Sequence, residues 1–339
     1  MSSEERPKIL LLGTIEHATD DWSALSEHAD IIHPKSTNRA SFLSECTSGA
    51  FTGVRAIYRD FHSSSITGRI DAELLDCLPP TCRFICHNGA GYDQIDVDAC
   101  TAREVSVSNT PTAVNDATAD IGVFLLLGAM RNLNAGMAAL RRGEWRGDPP
   151  PALGHDPRGK VLGILGMGGI GRNMAAKMRA FGMSVRYHNR TKLSPENEEG
   201  AEYVDFETLL RESDVLSLNL PLNPSTRHAI SAPQFAIMKR GIIIVNTARG
   251  AVMDESALAN ALESGIVASA GLDVFEDEPR VHPRLLADER VLLVPHMGTW
   301  TVETSEKMER WAVGNVRKSV VEGKLKSIVP EQRELEKKL

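Results

Sequence analysis

Val161-Leu162-Gly163-Ile164-Leu165-Gly166-Met167-Gly168-Gly169-Ile170-Gly171 carries the clearest structural signal in this chain. An apolar run of strand type delivers three glycines in the spacing Gly166-x-Gly168-x-x-Gly171, and a helical pattern, Asn173–Ala180, follows. The first glycine permits a tight turn. The second lets main chain approach a pyrophosphate, and the third lets helix and strand pack closely. The helix N-terminus then favours phosphate charge. Glycines so placed between strand and helix read as a dinucleotide turn, whereas outside that context they are ordinary turn residues.

Working outward, apolar runs recur at Lys160–Leu165, Ser184–His188, Val215–Asn219, Ile242–Asn246, Ala268–Asp273 and Val291–Val294. Several are continuously apolar, as parallel strands covered on both faces are. Shorter runs upstream, Lys8–Leu12, Ile31–His33, Val54–Tyr58, Arg83–Cys86 and Val105–Val107, alternate with helical patterns such as Arg39–Ser48 and Asp71–Leu78. The pattern predicts an α/β protein with two doubly wound domains. Asn109-Thr110-Pro111 marks the exit from the first, and a helix over about Ala113–Asn132 follows. Gly147-Asp148-Pro149-Pro150-Pro151 reads as connector or arm, since proline cannot donate to a ladder. The last helical pattern, Val302–Glu322, is expected to return to the first domain.

The chain has 339 residues, of which 42% are hydrophobic and 24% charged, ordinary for a globular protein of two domains. A net charge of −7 argues against nucleic acid as a partner. All five cysteines lie between Cys46 and Cys100. Cys82 and Cys86 have no second pair beside them, so reduced thiols of a cytoplasmic protein, and no metal, are expected. Met1-Ser2-Ser3-Glu4-Glu5 is acidic, unlike a leader, and Ile121–Met130, the longest apolar stretch, is too short to span a membrane. Lys337-Lys338-Leu339 reads as the end of a charged helix rather than a peroxisomal tail.

The run Ser184–His188 ends in His188-Asn189-Arg190-Thr191, where a carboxylate would accept from the ribose 2′-hydroxyl of NAD. None is present. Arg190 offers a cation to a 2′-phosphate instead, so NADP is the expected cofactor, with NAD possible. Further polar islands close later runs. Asn246-Thr247-Ala248-Arg249-Gly250 brings a guanidinium, which grips a carboxylate by two parallel bonds. Asp273-Val274-Phe275-Glu276-Asp277-Glu278-Pro279 brings carboxylates, and Pro295-His296-Met297-Gly298 an imidazole that can protonate a carbonyl oxygen. A carboxylate on its other nitrogen would fix the ring and favour the charged form. Singly, each is an ordinary surface or core residue; together, at strand ends of one sheet, they form a kit for hydride transfer to a 2-keto acid. Asn88-Gly89-Ala90-Gly91-Tyr92-Asp93 follows an earlier run, and its small residues expose N–H groups that suit a substrate carboxylate across a cleft from the dinucleotide.

These motifs, with Ala117-Thr118-Ala119-Asp120, resemble in their order the D-2-hydroxyacid dehydrogenase family, most clearly from about Phe84 to Pro330. Tyr187–Arg190, Val245–Val252, Ser269–Glu276 and Pro295–Thr299 look like the fungal glyoxylate reductases, and more loosely like fungal D-mandelate dehydrogenase. The resemblance implies a Rossmann dinucleotide-binding domain, residues 110–301, inserted in a flavodoxin-like substrate domain, residues 1–109 and 302–339. It implies Arg249, Glu278 and His296 as catalytic residues, with Gly89, Ala90, Gly91 and Trp300 beside the substrate. It implies cofactor contacts from Thr118, the turn Gly166, Met167, Gly168, Gly169, Ile170, Gly171, and Asn189, Arg190, Thr191. Leu220, Pro221, Thr226, Thr247, Ala248, Arg249, Asp273, His296 and Gly298 complete that set.

A homodimer joined through an arm at about Arg131–Pro151 is implied as well. Gly169 departs from the family, many members of which have arginine there, and so does the bulky Trp300. The expected activity is reduction of glyoxylate, hydroxypyruvate or a similar small 2-keto acid by NADPH. The alternatives are a bulkier acid such as mandelate, or a dinucleotide-sensing co-repressor on the same fold. A regulatory domain beyond Pro330 is not expected, and neither are membrane or nucleic-acid partners.

Overall fold

The computed structural model describes residues 6–336, so the expectations for Met1–Glu5 and Lys337–Leu339 lie outside the described residues. The chain forms two compact units, one from residues up to Val114 and from Thr301 onward, the other from Asn115–Trp300.

The first unit holds β1 (Lys8–Leu12), β2 (Asp30–Ile32), β3 (Val54–Asp60), β4 (Phe84–Asn88) and β5 (Ser106–Ser108). They pair in parallel in the order β2-β1-β3-β4-β5, the flavodoxin-like arrangement. The helix Val302–Glu322 packs on this sheet, as expected from its place after the last strand of the second unit. Ala312, Val313, Val316 and Val320 bury against Ile9, Tyr58, Phe84 and Cys86.

The second unit holds β6 (Val161–Leu165), β7 (Ser184–His188), β8 (Glu202–Tyr203), β9 (Val215–Leu218), β10 (Ile242–Asn246), β11 (Val267–Leu272) and β12 (Val291–Leu293). All pair in parallel in the order β12-β11-β10-β9-β6-β7-β8. Counted from β6, that is the Rossmann order, and the chain reverses direction between β6 and β9. The central strands β9 and β10 are buried throughout.

Three local readings need correction. The helix after the glycine turn begins at Gly169, not Asn173. Glycine is a poor helix former, so its presence conceals the first turn. The expected helix Ala113–Asn132 is Asn115–Met130, and after a break at Asn132 (φ 51°) a second helix, Leu133–Arg141, continues. The two-residue strand β8 was too short to leave a periodic signal. Among the described residues no single helix is long and apolar enough to cross a membrane.

Candidate active site

The parallel sheet of the second unit fixes the site, because each strand releases its polar island at the same carboxyl edge. The glycine turn follows β6. Gly166 takes φ +96°, and a Cβ on it would lie 2.8 Å from the Asn219 carbonyl carbon and 3.1 Å from the Leu220 nitrogen. A Cβ on Gly171 would lie 2.7 Å from the Gly166 carbonyl oxygen, so that glycine lets the helix close onto the strand. At Gly168 a Cβ would meet nothing within 4 Å, and Gly168 caps the helix Gly169–Ala180 without any side-chain hydrogen bond. Uncapped N–H groups, open space beside them and a buried, unpartnered Thr247 hydroxyl suit a dinucleotide phosphate and ribose. The fit therefore rests on the chain's own vacant donors and shape.

At the end of β7, Asn189 Oδ1 accepts the Met167 N–H at 2.7 Å, which turns its Nδ2 donor away from the glycine turn. Arg190 and Thr191 are exposed, and Arg190 forms no ion pair among the described residues. Thr226 braces its own loop, donating to the Pro221 carbonyl at 2.6 Å and accepting from the Asn223 N–H at 2.9 Å. A Cβ on Gly169 would come within 2.3 Å of the Asn115 amide, so Asn115 occupies the space that a side chain at that position would need. Nothing in the sequence signalled Asn115.

The three islands expected to act chemically do come together in part. His296 Nδ1 lies 2.8 Å from Glu278 Oε2, and since a carboxylate only accepts, Nδ1 carries a proton. Glu278 Oε1 accepts the Phe275 N–H at 3.0 Å. Burial works to raise the Glu278 pKa, but the His296 hydrogen bond and charge, the Phe275 N–H and the Arg249 charge together hold it below the usual carboxylate value. His296 itself sits at φ 53°, backbone that a non-glycine residue rarely adopts. Its N–H is held by the Asp273 carbonyl of the neighbouring island (2.8 Å) and, locally, by the Val294 carbonyl two residues earlier (3.1 Å).

Asp273 is buried, and its carboxylate accepts the N–H groups of Met297 and Gly298. Burial pushes its pKa up to about 6 against the pull of those donors and of His296. Expected as a cofactor contact, Asp273 thus also ties down the loop that carries His296. A Cβ on Gly298 would lie 3.0 Å from Asp273 Oδ2 and 3.2 Å from the Thr118 methyl, which brings Thr118 to the same corner.

Arg249 is half-buried after β10, and its Nη1 donates to the Ala248 carbonyl at 2.8 Å. Gly250 presses on the main chain of Phe275 and Glu276; a Cβ there would be 1.9 Å from the Phe275 carbonyl carbon. Reciprocal bonds, Glu276 N–H to Glu255 (2.8 Å) and Glu255 N–H to Glu276 (2.9 Å), pin the Glu278 loop to the helix Glu255–Glu263. Sequence reading named neither Glu255 nor Glu276 for this bracing role. Trp300 is 74% exposed and touches none of the three islands by a hydrogen bond of its indole.

In the first unit, the loop after β4 has its carbonyls engaged. Thr110 N–H bonds Gly89 at 2.9 Å, Asn109 Nδ2 bonds Ala90 at 2.7 Å, and His87 Nε2 bonds Gly91 at 3.0 Å. The N–H groups of Ala90 and Gly91 have no acceptor among the described residues. That loop lies in the other unit from Arg249, Glu278 and His296. Among the described residues no group of His, Cys, Asp or Glu could hold a metal ion.

Known proteins with these features can now be set beside the geometry. Residues 123–298 match the family model for the D-isomer specific 2-hydroxyacid dehydrogenase, NAD binding domain. The chain is 53% identical over 327 residues to 4-methyl-2-oxopentanoate reductase A of Aspergillus oryzae, covering 96% of this chain and 99% of that protein. The crystal structure of a glyoxylate reductase from Paecilomyes thermophila aligns with a TM-score of 0.94 at 53% identity, over 96% of this chain and 99% of that one. The holo form of Rhodotorula graminis D-mandelate dehydrogenase aligns with a TM-score of 0.90 at 33% identity, over 96% and 98%.

The Glu278 shift has a stability consequence. Because its folded pKa is depressed, the ionised carboxylate stabilises the fold above the unfolded value of about 4.3, and this is lost as pH falls through the folded value. Glu278→Gln should therefore lower the urea midpoint at pH 7, with the gap to the parent narrowing below about pH 4. A gap that stays constant across that range would show that the charge contributes nothing.

Proposed function

The chain belongs to the D-isomer-specific 2-hydroxyacid dehydrogenase family, and from that footing we propose that it reduces a small 2-keto acid, glyoxylate or hydroxypyruvate, with NADPH. The observation that carries the reading is the His296–Glu278 pair at 2.8 Å, with Arg249 close enough for its charge to act on Glu278. When bound, the reduced nicotinamide supplies the hydride. Arg249 holds the substrate carboxylate by its planar fork and draws charge toward the adjacent ketone. His296, with Nδ1 bonded to Glu278, passes the proton on Nε2 to the keto oxygen as that oxygen becomes an alkoxide. Glu278 keeps the ring oriented through its bond to Nδ1. The N–H groups of Ala90 and Gly91 are donors of the kind a carboxylate accepts.

A bulkier substrate is the second reading. It is favoured by the exposed Trp300 indole and by the branched keto acid in the name of the Aspergillus relative. A panel of glyoxylate, hydroxypyruvate, 4-methyl-2-oxopentanoate and benzoylformate decides between them, and the two small acids should give the highest kcat/KM. His296→Ala should cut that turnover by about 10²–10⁴, with NADPH binding unchanged. A preference for benzoylformate, or near-parent turnover in the variant, would overturn the respective assignment.

Three finer assignments accompany this reading. The apolar side chains Leu133, Leu140 and Trp145 are 46%, 55% and 72% exposed, which supports a homodimer through the arm at about Arg131–Pro151; sedimentation mass checks it. Five free cysteines support the cytoplasm as its location. NADPH is favoured because Asn189 turns a donor, and Arg190 a cation, outward where no carboxylate stands. Discounted for solvent, a roughly tenfold preference for NADPH over NADH is expected. Asn189→Asp with Arg190→Ala should reverse it, read as kcat/KM for the two cofactors. A parent enzyme that clearly favours NADH would show Arg190 to be only a solvated strand-end residue.

A further inference from the structure

We propose that Asn246 is a positioning residue that sets the direction of Arg249 and thereby the affinity for the keto-acid carboxylate. The inference rests on the assignment of Arg249 as the carboxylate clamp. Asn246 is the last residue of β10, and it is completely buried. Its side-chain amide closes the turn that follows. Oδ1 accepts the Ala248 N–H at 3.0 Å, and Nδ2 donates to the Arg249 carbonyl at 3.0 Å. The Ala248 carbonyl in turn accepts from the Arg249 guanidinium. The amide thus grips the main chain on both sides of the Arg249 Cα–Cβ origin, and the guanidinium bonds to the same short segment.

The far side of the turn is equally confined, because Gly250 lies against the main chain of Phe275 and Glu276. Clamped between the amide and that main chain, the Arg249 backbone has one arrangement. The same residue also connects the islands. The Asn246 carbonyl accepts the Asp273 N–H at 2.9 Å, and the Asp273 carbonyl accepts the His296 N–H at 2.8 Å. Asn246 therefore refers the position of the guanidinium to that of the imidazole.

The turn requires one acceptor and one donor at two-carbon reach from a strand end, which an asparagine side chain supplies. Aspartate keeps the acceptor for Ala248 but sets an anion against the Arg249 carbonyl. Serine is too short to span both groups. Asn246→Asp and Asn246→Ser should each raise the KM for the preferred keto acid tenfold or more, with NADPH Kd, by fluorescence titration, moving less than twofold.

A purely structural role is excluded by repeating the substitutions in Arg249→Lys. If Asn246 acts through Arg249, its effect on keto-acid KM should shrink to less than twofold in that background. Equal effects in both backgrounds, or NADPH Kd rising in step with KM, would overturn the proposal. Should Asn246→Asp not fold, Asn246→Ser carries the cycle. A parent enzyme that reduces no 2-keto acid would instead remove the clamp assignment itself, and this inference with it.

Discussion

The site depends on hydrogen bonds that continue the parallel ladder one residue beyond the strands. A parallel sheet ends with a row of unpaired N–H and C=O groups at its carboxyl edge, and buried ones must find partners. Here the partners are main-chain groups of neighbouring islands: His188 with Gly166, Leu165 with Asn219, Asn246 with Asp273, and Asp273 with His296. The same bonds that satisfy the edge set the spacing of the glycine turn, Arg249 and His296 along it. The strain of His296 at φ 53° persists because one such bond, from Asp273, and a local one, from Val294, hold its N–H in place.

That edge also sets apart a buried carboxylate, Asp273, and a half-buried one, Glu278. Glu278 and Asp273 both lose solvation, yet their pKa values move in opposite directions. Glu278 has a ring N–H, a backbone N–H and the Arg249 charge on its side, and it stays ionised as the partner of the imidazole. Asp273 has two backbone donors and His296 at a distance, but Glu278 opposes its charge, and burial prevails. It accepts the Met297 and Gly298 N–H groups and so fastens the loop bearing His296. Separating two carboxylates by environment in this way assigns them different roles without different chemistry.

Much of this was legible in the sequence because it is carried by pattern. Strand β10 coincides with the apolar run Ile242–Asn246, and the glycine spacing named the first turn of the second unit. What stayed hidden depends on contacts that no spacing encodes. Asn115 fills the space beside Gly169 from 54 positions away, and nothing along the chain joins them. Glu255 and Glu276 carried no bracing signal in the sequence, but in the fold each accepts the other's N–H. Asn246 read as one more polar residue of a motif, because a side chain that bonds its own turn leaves the same trace as one that bonds a ligand. The break at Asn132 went unread because asparagine tolerates left-handed backbone without announcing it.

The relatives sharpen one physical point about specificity. At the same 53% identity stand a protein named for 4-methyl-2-oxopentanoate and one named for glyoxylate, acids that differ by a branched hydrocarbon chain. What those two acids share is a carboxylate beside a carbonyl group. A guanidinium fork and an imidazole gain nothing from the remainder of the molecule. A few methylenes in an apolar pocket, by contrast, are worth about 1–3 kcal/mol of discrimination. The Asn246–Asp273–His296 line consists of main-chain hydrogen bonds, which are indifferent to such methylenes, so a difference in acid size has to be read by apolar side chains outside it.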